Sequence, residues 1–86
     1  MLIVIERLLQ DGKMLRFEFE EENGDRIVEV DIPRVSYEGI TFYVEEQENG
    51  AFYNYNMELD SLSSFLNTLV LSCIDFNIYQ DGMQIY

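Results

Sequence analysis

The sequence lacks histidine and tryptophan, and it contains one cysteine, one proline and five basic residues in a chain of 86. Without histidine, both a Ser-His or Cys-His nucleophile pair and a histidine-ligated metal are excluded. The single cysteine, Cys73, cannot form an intramolecular disulfide, so the chain is unlike the disulfide-dense scaffolds of small secreted proteins. Five Lys and Arg against 17 Asp and Glu give a net charge of −12, which disfavours direct binding to nucleic acid phosphates.

Long apolar runs are also lacking. The apolar segment from Met1 to Leu9 is interrupted by Glu6 and Arg7, and no cleavage motif follows it. The sequence therefore predicts neither a signal peptide nor a transmembrane helix. Because no linker is apparent and the length fits one domain, we expect a single cytoplasmic domain over residues 1–86 that does not contact a membrane.

Asn-Gly and Asp-Gly pairs, by contrast, recur along the chain and favour two-residue hairpin turns. A turn at Asn23-Gly24 predicts a hairpin in which Phe17 lies opposite Val30 and Leu15 lies opposite Ile32. The same register places Glu18 directly opposite Glu29, and such a like-charge pair destabilises a sheet. The solvent-facing side of this hairpin is predicted to carry Arg16, Glu18, Glu20, Glu29 and Asp31.

A second hairpin and a helix follow. A turn at Asn49-Gly50 predicts that Phe42 lies opposite Met57 and that Val44 lies opposite Tyr55. From residue 60 the apolar period changes to that of an amphipathic helix, with Asp60 or Ser61 as its N-cap. The apolar stripe of this helix comprises Leu62, Phe65, Leu66, Leu69, Val70 and Cys73.

The two ends of the chain are less regular. A short helix within residues 2–10, ended by Gly12, would place Leu2, Ile5, Leu8 and Leu9 inward, although the β-branched residues at positions 3–5 also suit a strand. We favour a helix over Ile5–Gln10. An Asp81-Gly82 turn predicts a small C-terminal hairpin. The expected fold class is therefore α+β: an antiparallel sheet of about four strands, built from two Asn-Gly hairpins, with one or two helices on one face.

Few residues suit catalysis or metal binding. Cys73 lies on the apolar stripe of the predicted helix, which is typical of an inert buried thiol. The acidic run from Glu20 to Asp25 lacks the alternating ligand spacing of a calcium loop, and no phosphate-binding glycine loop is present. We therefore expect a protein that is not an enzyme and that has no cofactor and no metal site.

Among the features of the sequence, the acidic residues say most about which functions are possible. A sheet holds same-face neighbours about 6.8 Å apart along a strand and about 4.8 Å apart between strands. Carboxylates in such an array approach the charge density of a DNA strand, which carries one charge per about 3.4 Å. Tyrosines beside them suit a protein interface, where aromatic rings anchor and charges steer. The predicted partner-binding residues are Glu18, Glu20, Glu21, Glu22, Asp25, Glu29, Asp31, Glu45, Glu46, Glu48, Tyr53 and Tyr55.

The predicted elements come in the order of a helix at Ile5–Gln10, strands around Leu15–Phe19, Ile27–Ile32 and Phe42–Val44, and a helix at Leu62–Cys73. In size, charge and element order this resembles the small acidic inhibitors that bacteriophages encode against host defence nucleases, in particular the type II-A anti-CRISPR proteins. The added strand at Phe52–Met57 departs from their pattern. The resemblance implies a non-enzymatic inhibitor in the bacterial cytoplasm that occupies the basic nucleic-acid-binding groove of a Cas9-like nuclease.

Two other functions suit the same features. An immunity protein that neutralises a basic toxin nuclease would use the same electrostatics. A small structural or regulatory module could instead use its aromatic surface to form a homodimer. The two inhibitor hypotheses predict a basic partner and no self-association, whereas the third predicts a dimer that survives high salt.

Overall fold

Seven antiparallel strands form one sheet, and two helices pack on it, so the fold class is α+β as predicted. The structure, a computed structural model, describes residues 4–86. The predicted count of about four strands is too low, because two short strands and a strand after the second helix join the two hairpins. The elements are α1 (Ile5–Gln10), β1 (Leu15–Glu21), β2 (Gly24–Val30), β3 (Arg34–Ser36), β4 (Gly39–Glu48), β5 (Ala51–Glu58), α2 (Leu59–Ser72), β6 (Asp75–Gln80) and β7 (Met83–Gln84).

The sheet is organised around β4. One edge of β4 pairs with β5, and its other edge pairs first with β2 and then with the short strand β3. From β2 the sheet continues through β1 and β6 to β7. Between β2 and β3, the segment Asp31–Pro33 lies opposite only Phe42 and Tyr43, which makes a β-bulge. Pro33 has no N–H to donate to the ladder, which suits it to this position.

The register of the first hairpin differs from the prediction by two residues. Leu15 pairs with Val30 and Phe17 with Val28, so the turn residues are Glu22 and Asn23. Gly24 follows the turn with φ 126°, a conformation that favours glycine. A slip of two residues keeps every side chain on its own face, so apolar alternation alone could not distinguish the two registers.

This shift overturns all the predicted cross-strand pairs of the first hairpin, including Phe17 with Val30. Glu18 lies opposite Ile27, and Glu29 lies opposite Arg16, so the predicted Glu18–Glu29 pair is wrong. Ile32 does not pair with Leu15 but lies in the bulge, where 58% of it is exposed. The second hairpin has the predicted register, with Phe42 opposite Met57 and Val44 opposite Tyr55.

Both helices cover the same face of the sheet. The rings of Phe17, Phe19 and Phe42 are fully buried there, and each contributes about 1.5–3 kcal/mol of hydrophobic stabilisation. Among the described residues, the core comprises Ile5, Leu9, Leu15, Phe17, Phe19, Val28, Val30, Phe42, Val44, Leu62, Leu66, Leu69 and Ile78. Across residues 4–86 no helix lies on the other face, which is open to solvent.

The helix predictions are largely confirmed. α1 has the predicted bounds and buries Ile5 and Leu9, while Leu2 lies outside the described residues. In α2 the predicted stripe faces the core, but the N-cap is Glu58 rather than Asp60 or Ser61, and its side chain makes no capping hydrogen bond. The C-terminal hairpin is also confirmed: the Ile85 N–H donates to the carbonyl oxygen of Ile78 at 2.9 Å.

Candidate protein-binding surface

Strand alternation places acidic side chains on the face of the sheet that the helices leave open. We call this surface the acidic face and define it by Glu18, Glu20, Asp25, Glu29, Glu45 and Asp75. Each of these residues lies in β1, β2, β4 or β6, at positions that alternate with the buried core residues of the same strand. All six carboxylates are carried by a stiff sheet. Because its backbone is already ordered, binding of a partner would cost little backbone conformational entropy.

Three of the carboxylates form a row across adjacent strands. Glu20 pairs with Asp25 on one side and with Asp75 on the other. All three residues are exposed, and adjacent strands lie about 4.8 Å apart, so the three charges repel one another. They line an open depression of about 350 Å³, whose other lining residues include Glu18, Ile27 and Arg26. A cationic side chain entering it would meet carboxylates at the rim and an apolar side chain between them.

A second like-charge pair lies nearer the middle of the sheet. Glu29 on β2 pairs with Glu45 on β4, and both side chains are exposed. On the other side of Glu29, the guanidinium of Arg16 lies 3.4 Å from Glu29 and 3.0 Å from Glu18. Arg16 therefore neutralises part of this region, and within residues 4–86 no ion pair reaches the Asp75–Glu20–Asp25 row. Arg34 lies on the same side of the sheet but at its far end, in β3 opposite Thr41.

Tyrosines flank these carboxylates. Tyr43 lines a small depression of about 100 Å³ together with Glu29, Asp31 and Glu45. Tyr79 on β6 lies opposite Arg16 on β1. The pKa of the Tyr79 hydroxyl is raised, mainly by desolvation and secondly by the nearby Glu18 carboxylate. Both rings are half-buried, so each presents an aromatic edge and a hydroxyl beside negative charge. This combination is typical of interface anchors.

Several of the predicted binding residues lie on the opposite, helix-covered side of the sheet. There Arg26 is the centre of what we call the Arg26 cluster, which also contains Glu21, Glu46, Glu48 and Tyr55. Arg26 Nε donates to Glu21 at 2.8 Å, and its Nη2 donates to Glu48 at 3.0 Å. Its Nη1 donates to Glu46, which also accepts a hydrogen bond from the Tyr55 hydroxyl.

The Arg26 cluster is partly buried. Only 5% of Glu46 is exposed, and a carboxylate at that depth requires a paired cation. Burial by itself lowers the pKa of Arg26, but the hydrogen bonds that it donates to Glu21 and Glu46, together with the negative charges of these carboxylates, outweigh this effect, so the pKa is raised. Arg26 therefore remains charged, and Glu21, Glu46, Glu48 and Tyr55 are engaged within the protein rather than displayed together with the acidic face.

The remaining predicted residues are dispersed. Glu22 is exposed in the turn between β1 and β2, and Asp31 is exposed in the bulge. Tyr53 is 47% exposed and lies opposite Glu46, hence on the helix-covered side. Of the predicted set, Glu18, Glu20, Asp25, Glu29 and Glu45 are the members that the structure brings together.

The predicted partner-binding residues lack one carboxylate of the acidic face, Asp75, and both flanking tyrosines, Tyr43 and Tyr79. Tyr43 lies in β4, whereas Asp75 and Tyr79 lie in β6, which was not predicted to extend the sheet beyond β1. The signal was present, because Phe76 and Ile78 alternate with polar residues and thus have the period of a strand.

Other features of the described chain add no site. Cys73 is partly buried, and this desolvation raises the pKa of its thiol. Residues 4–86 contain no group of three or more His, Cys, Asp or Glu side chains that could hold a metal ion. Neither of the two helices in this part of the chain is long and apolar enough to cross a membrane. Comparison with protein-family models, with curated proteins and with solved structures finds no match.

Proposed function

We propose that this protein acts by binding alone, and that its acidic face occupies a basic, nucleic-acid-binding groove of a bacterial defence nuclease, blocking access of DNA or RNA. The observation that carries the proposal is the row of Asp75, Glu20 and Asp25 on three adjacent strands. Three adjacent carboxylates that have no ion pair among the described residues are costly to the isolated fold, each like-charge pair by roughly 0.2–1 kcal/mol. A partner that supplies Lys and Arg side chains would convert this repulsion into attraction.

The shape of the surface supports the same function. An open sheet face can be laid into a groove wide enough for a duplex, and its depressions are shallow enough to admit side chains rather than small substrates. The half-buried Tyr43 and Tyr79 would provide the apolar contacts that a purely charged surface lacks. Because both partners would carry high charge of opposite sign, association would be fast and would weaken with salt.

Within this class we propose a guide-RNA-loaded, Cas9-like nuclease as the target, on the strength of the resemblance in size, charge and element order. Such a nuclease reads a short duplex motif with Arg side chains and holds its heteroduplex in a positively charged channel. The channel is adapted to backbone phosphates, and the Arg side chains that read the motif could pair with carboxylates in place of base edges. The proposed site of action is the bacterial cytoplasm, where such a nuclease works.

The test is a cleavage assay with a type II-A Cas9 loaded with guide RNA, its target DNA and increasing amounts of the protein. The informative variant carries E20Q, D25N, E29Q, E45Q and D75N, which neutralise five exposed carboxylates of the acidic face. A matched control carries E6Q, D11N, E22Q, E38Q and D60N, which remove the same charge from exposed positions elsewhere. We expect the wild type and the control to inhibit cleavage and the acidic-face variant to lose inhibition.

Two results would count against the proposal. Equal loss in both variants would mean that total charge, rather than this surface, matters. An absence of inhibition by the wild type would reject Cas9 as the target, and capture of a different basic nuclease at low but not high salt would then redirect the proposal to that enzyme.

A further inference from the structure

The charge of the molecule is distributed very unevenly. β5 carries no charged side chain from Ala51 to Met57. The segment from Ser61 to Ile74, which contains most of α2 and the two residues that follow it, carries none either. These two elements contact each other through Tyr55 and Phe65, whose rings meet edge to face with centroids 6.4 Å apart. A chain with a net charge of −12 therefore has one continuous uncharged region, at the β5 edge of the sheet.

β5 is also an unprotected edge. Within the described residues it pairs only with β4, so the backbone N–H and C=O groups along its other side lack strand partners. Edge strands of monomeric proteins are usually protected by lysine, proline, a bulge or short length. β5 has eight residues, contains neither lysine nor proline, and exposes 74% of Phe52 and 47% of Tyr53. The other exposed edges in residues 4–86 are shorter: β3 has three residues, β7 has two, and the part of β6 that extends past β7 has three, Asp75–Asn77.

From these observations we infer that β5 pairs antiparallel with β5 of a second copy, forming a homodimer in which the two sheets are continuous. A second copy is the occupant that the charges favour, because two molecules that each carry −12 repel everywhere except where both are uncharged. An antiparallel pair of identical strands is moreover related by a twofold axis, which is the commonest symmetry of protein dimers.

The dimer is compatible with binding to a basic partner. The acidic face lies on β1, β2, β4 and β6, so pairing at β5 would leave it open and extend it across both copies. Self-association and electrostatic binding, which exclude each other in the three hypotheses drawn from the sequence, therefore use different surfaces. Their salt dependence has opposite signs: salt screens the repulsion between two acidic copies and strengthens the dimer, whereas it weakens attachment to a basic groove.

The experiment measures the mass of the purified full chain by light scattering after gel filtration, over a range of concentrations at low and high salt. The wild type should approach twice the chain mass of 10.2 kDa as concentration rises, and at lower concentration in high salt. The informative variant is N54K/N56K, which places two lysines on the exposed side of β5. Its midpoint for dimerisation should rise by about tenfold or more.

The control is Q10K/N23K, which adds the same two lysines at exposed positions outside β5. Both variants carry two positive charges more than the wild type, so the reduced repulsion between copies would by itself strengthen a dimer. If the dimer is weaker in N54K/N56K alone, the cause must lie in β5. A wild type that stays monomeric at every concentration and salt would overturn the inference. A dimer that persists in N54K/N56K, or that weakens equally in both variants, would also overturn it. Hydrogen exchange gives a second readout, since dimerisation should slow exchange of β5 amides and leave β3 and β7 unchanged.

Discussion

Arg26 on β2 and Glu46 on β4 form an ion pair on the helix-covered side of the sheet, where only 5% of Glu46 is exposed. The same guanidinium holds Glu21 on β1 and Glu48 on β4, so a single cation on β2 organises three carboxylates of the two strands beside it. In a chain with few bases, this use of Arg26 explains how acidic residues at the ends of β1 and β4 are accommodated beside an apolar core.

Removing Arg26 should therefore be severe. We expect R26M to lower the free energy of unfolding by about 3–5 kcal/mol, because Glu46 would be left buried and unpaired. The double variant R26M/E46Q should recover part of this loss, since the amide is neutral and its oxygen can still accept from Tyr55. Urea denaturation measures both. The control R16M removes a guanidinium whose side chain is 41% exposed, and it should cost less than about 1 kcal/mol. Equal effects of R26M and R16M would contradict this account of the cluster.

Gly24 should be more sensitive to substitution than Gly82, which lies in the C-terminal hairpin turn. The φ of 126° at Gly24 disfavours any side chain, and a Cβ there would force the flexible side chain of Asn49, in the neighbouring hairpin turn, to move. We expect G24A to destabilise by about 2–3 kcal/mol, against about 1 kcal/mol for G82A, where no atom lies within 4 Å of the new methyl group. Thermal unfolding of the two variants, and of G24A/N49G as a rescue, would test this. A G24A/N49G protein no more stable than G24A would show that the contact with Asn49 is unimportant.

Salt should stabilise this protein. The like-charge pairs Glu20–Asp25, Glu20–Asp75 and Glu29–Glu45 all lie on exposed positions, where added ions screen them. If screening contributes about 1 kcal/mol, Tm should rise by about 4–8 °C between low and high ionic strength. The variant with E20Q, D25N, E29Q, E45Q and D75N should have a higher Tm at low ionic strength than the wild type. Its Tm should also rise less when salt is added. An unchanged response in that variant would place the repulsion elsewhere.

Alkaline pH should destabilise the fold. Desolvation raises the pKa of the Cys73 thiol and of the Tyr79 hydroxyl above their ordinary values, so the folded chain holds these protons more tightly than the unfolded chain. The resulting stability is complete below the ordinary pKa of each group and is lost as pH rises through the raised value. The midpoint of urea denaturation should therefore fall as the pH is raised above 7. The thiol should cause the first part of this fall, because its ordinary pKa is lower than that of the tyrosine hydroxyl. In C73A the thiol's part of this fall should disappear, and a C73A curve parallel to that of the wild type would exclude Cys73 as its source.

Local pattern in the sequence was sufficient for the secondary structure of most of the chain. The 3.6-residue stripe defines α2, and alternation with an Asn49-Gly50 turn defines the β4–β5 hairpin and its register. Both are short-range signals, set by which neighbouring residues are apolar and which backbone positions accept positive φ. The chain's charge and its lack of histidine, which restrict the function classes, are likewise properties of composition.

Tertiary structure alone decided which charges lie together. The two registers that fit the first hairpin keep the same faces, so whether Glu18 would meet Glu29 or Ile27 depended on where Gly24 sits relative to the turn. The pairing of β6 with β1 joins residues about 55 positions or more apart and completes the Asp75–Glu20–Asp25 row. The pairing of β2 with β4 likewise brings Glu46 to Arg26 and takes it out of solvent. Long-range strand pairing places charges from separate segments side by side, and no local period in the sequence encodes that arrangement.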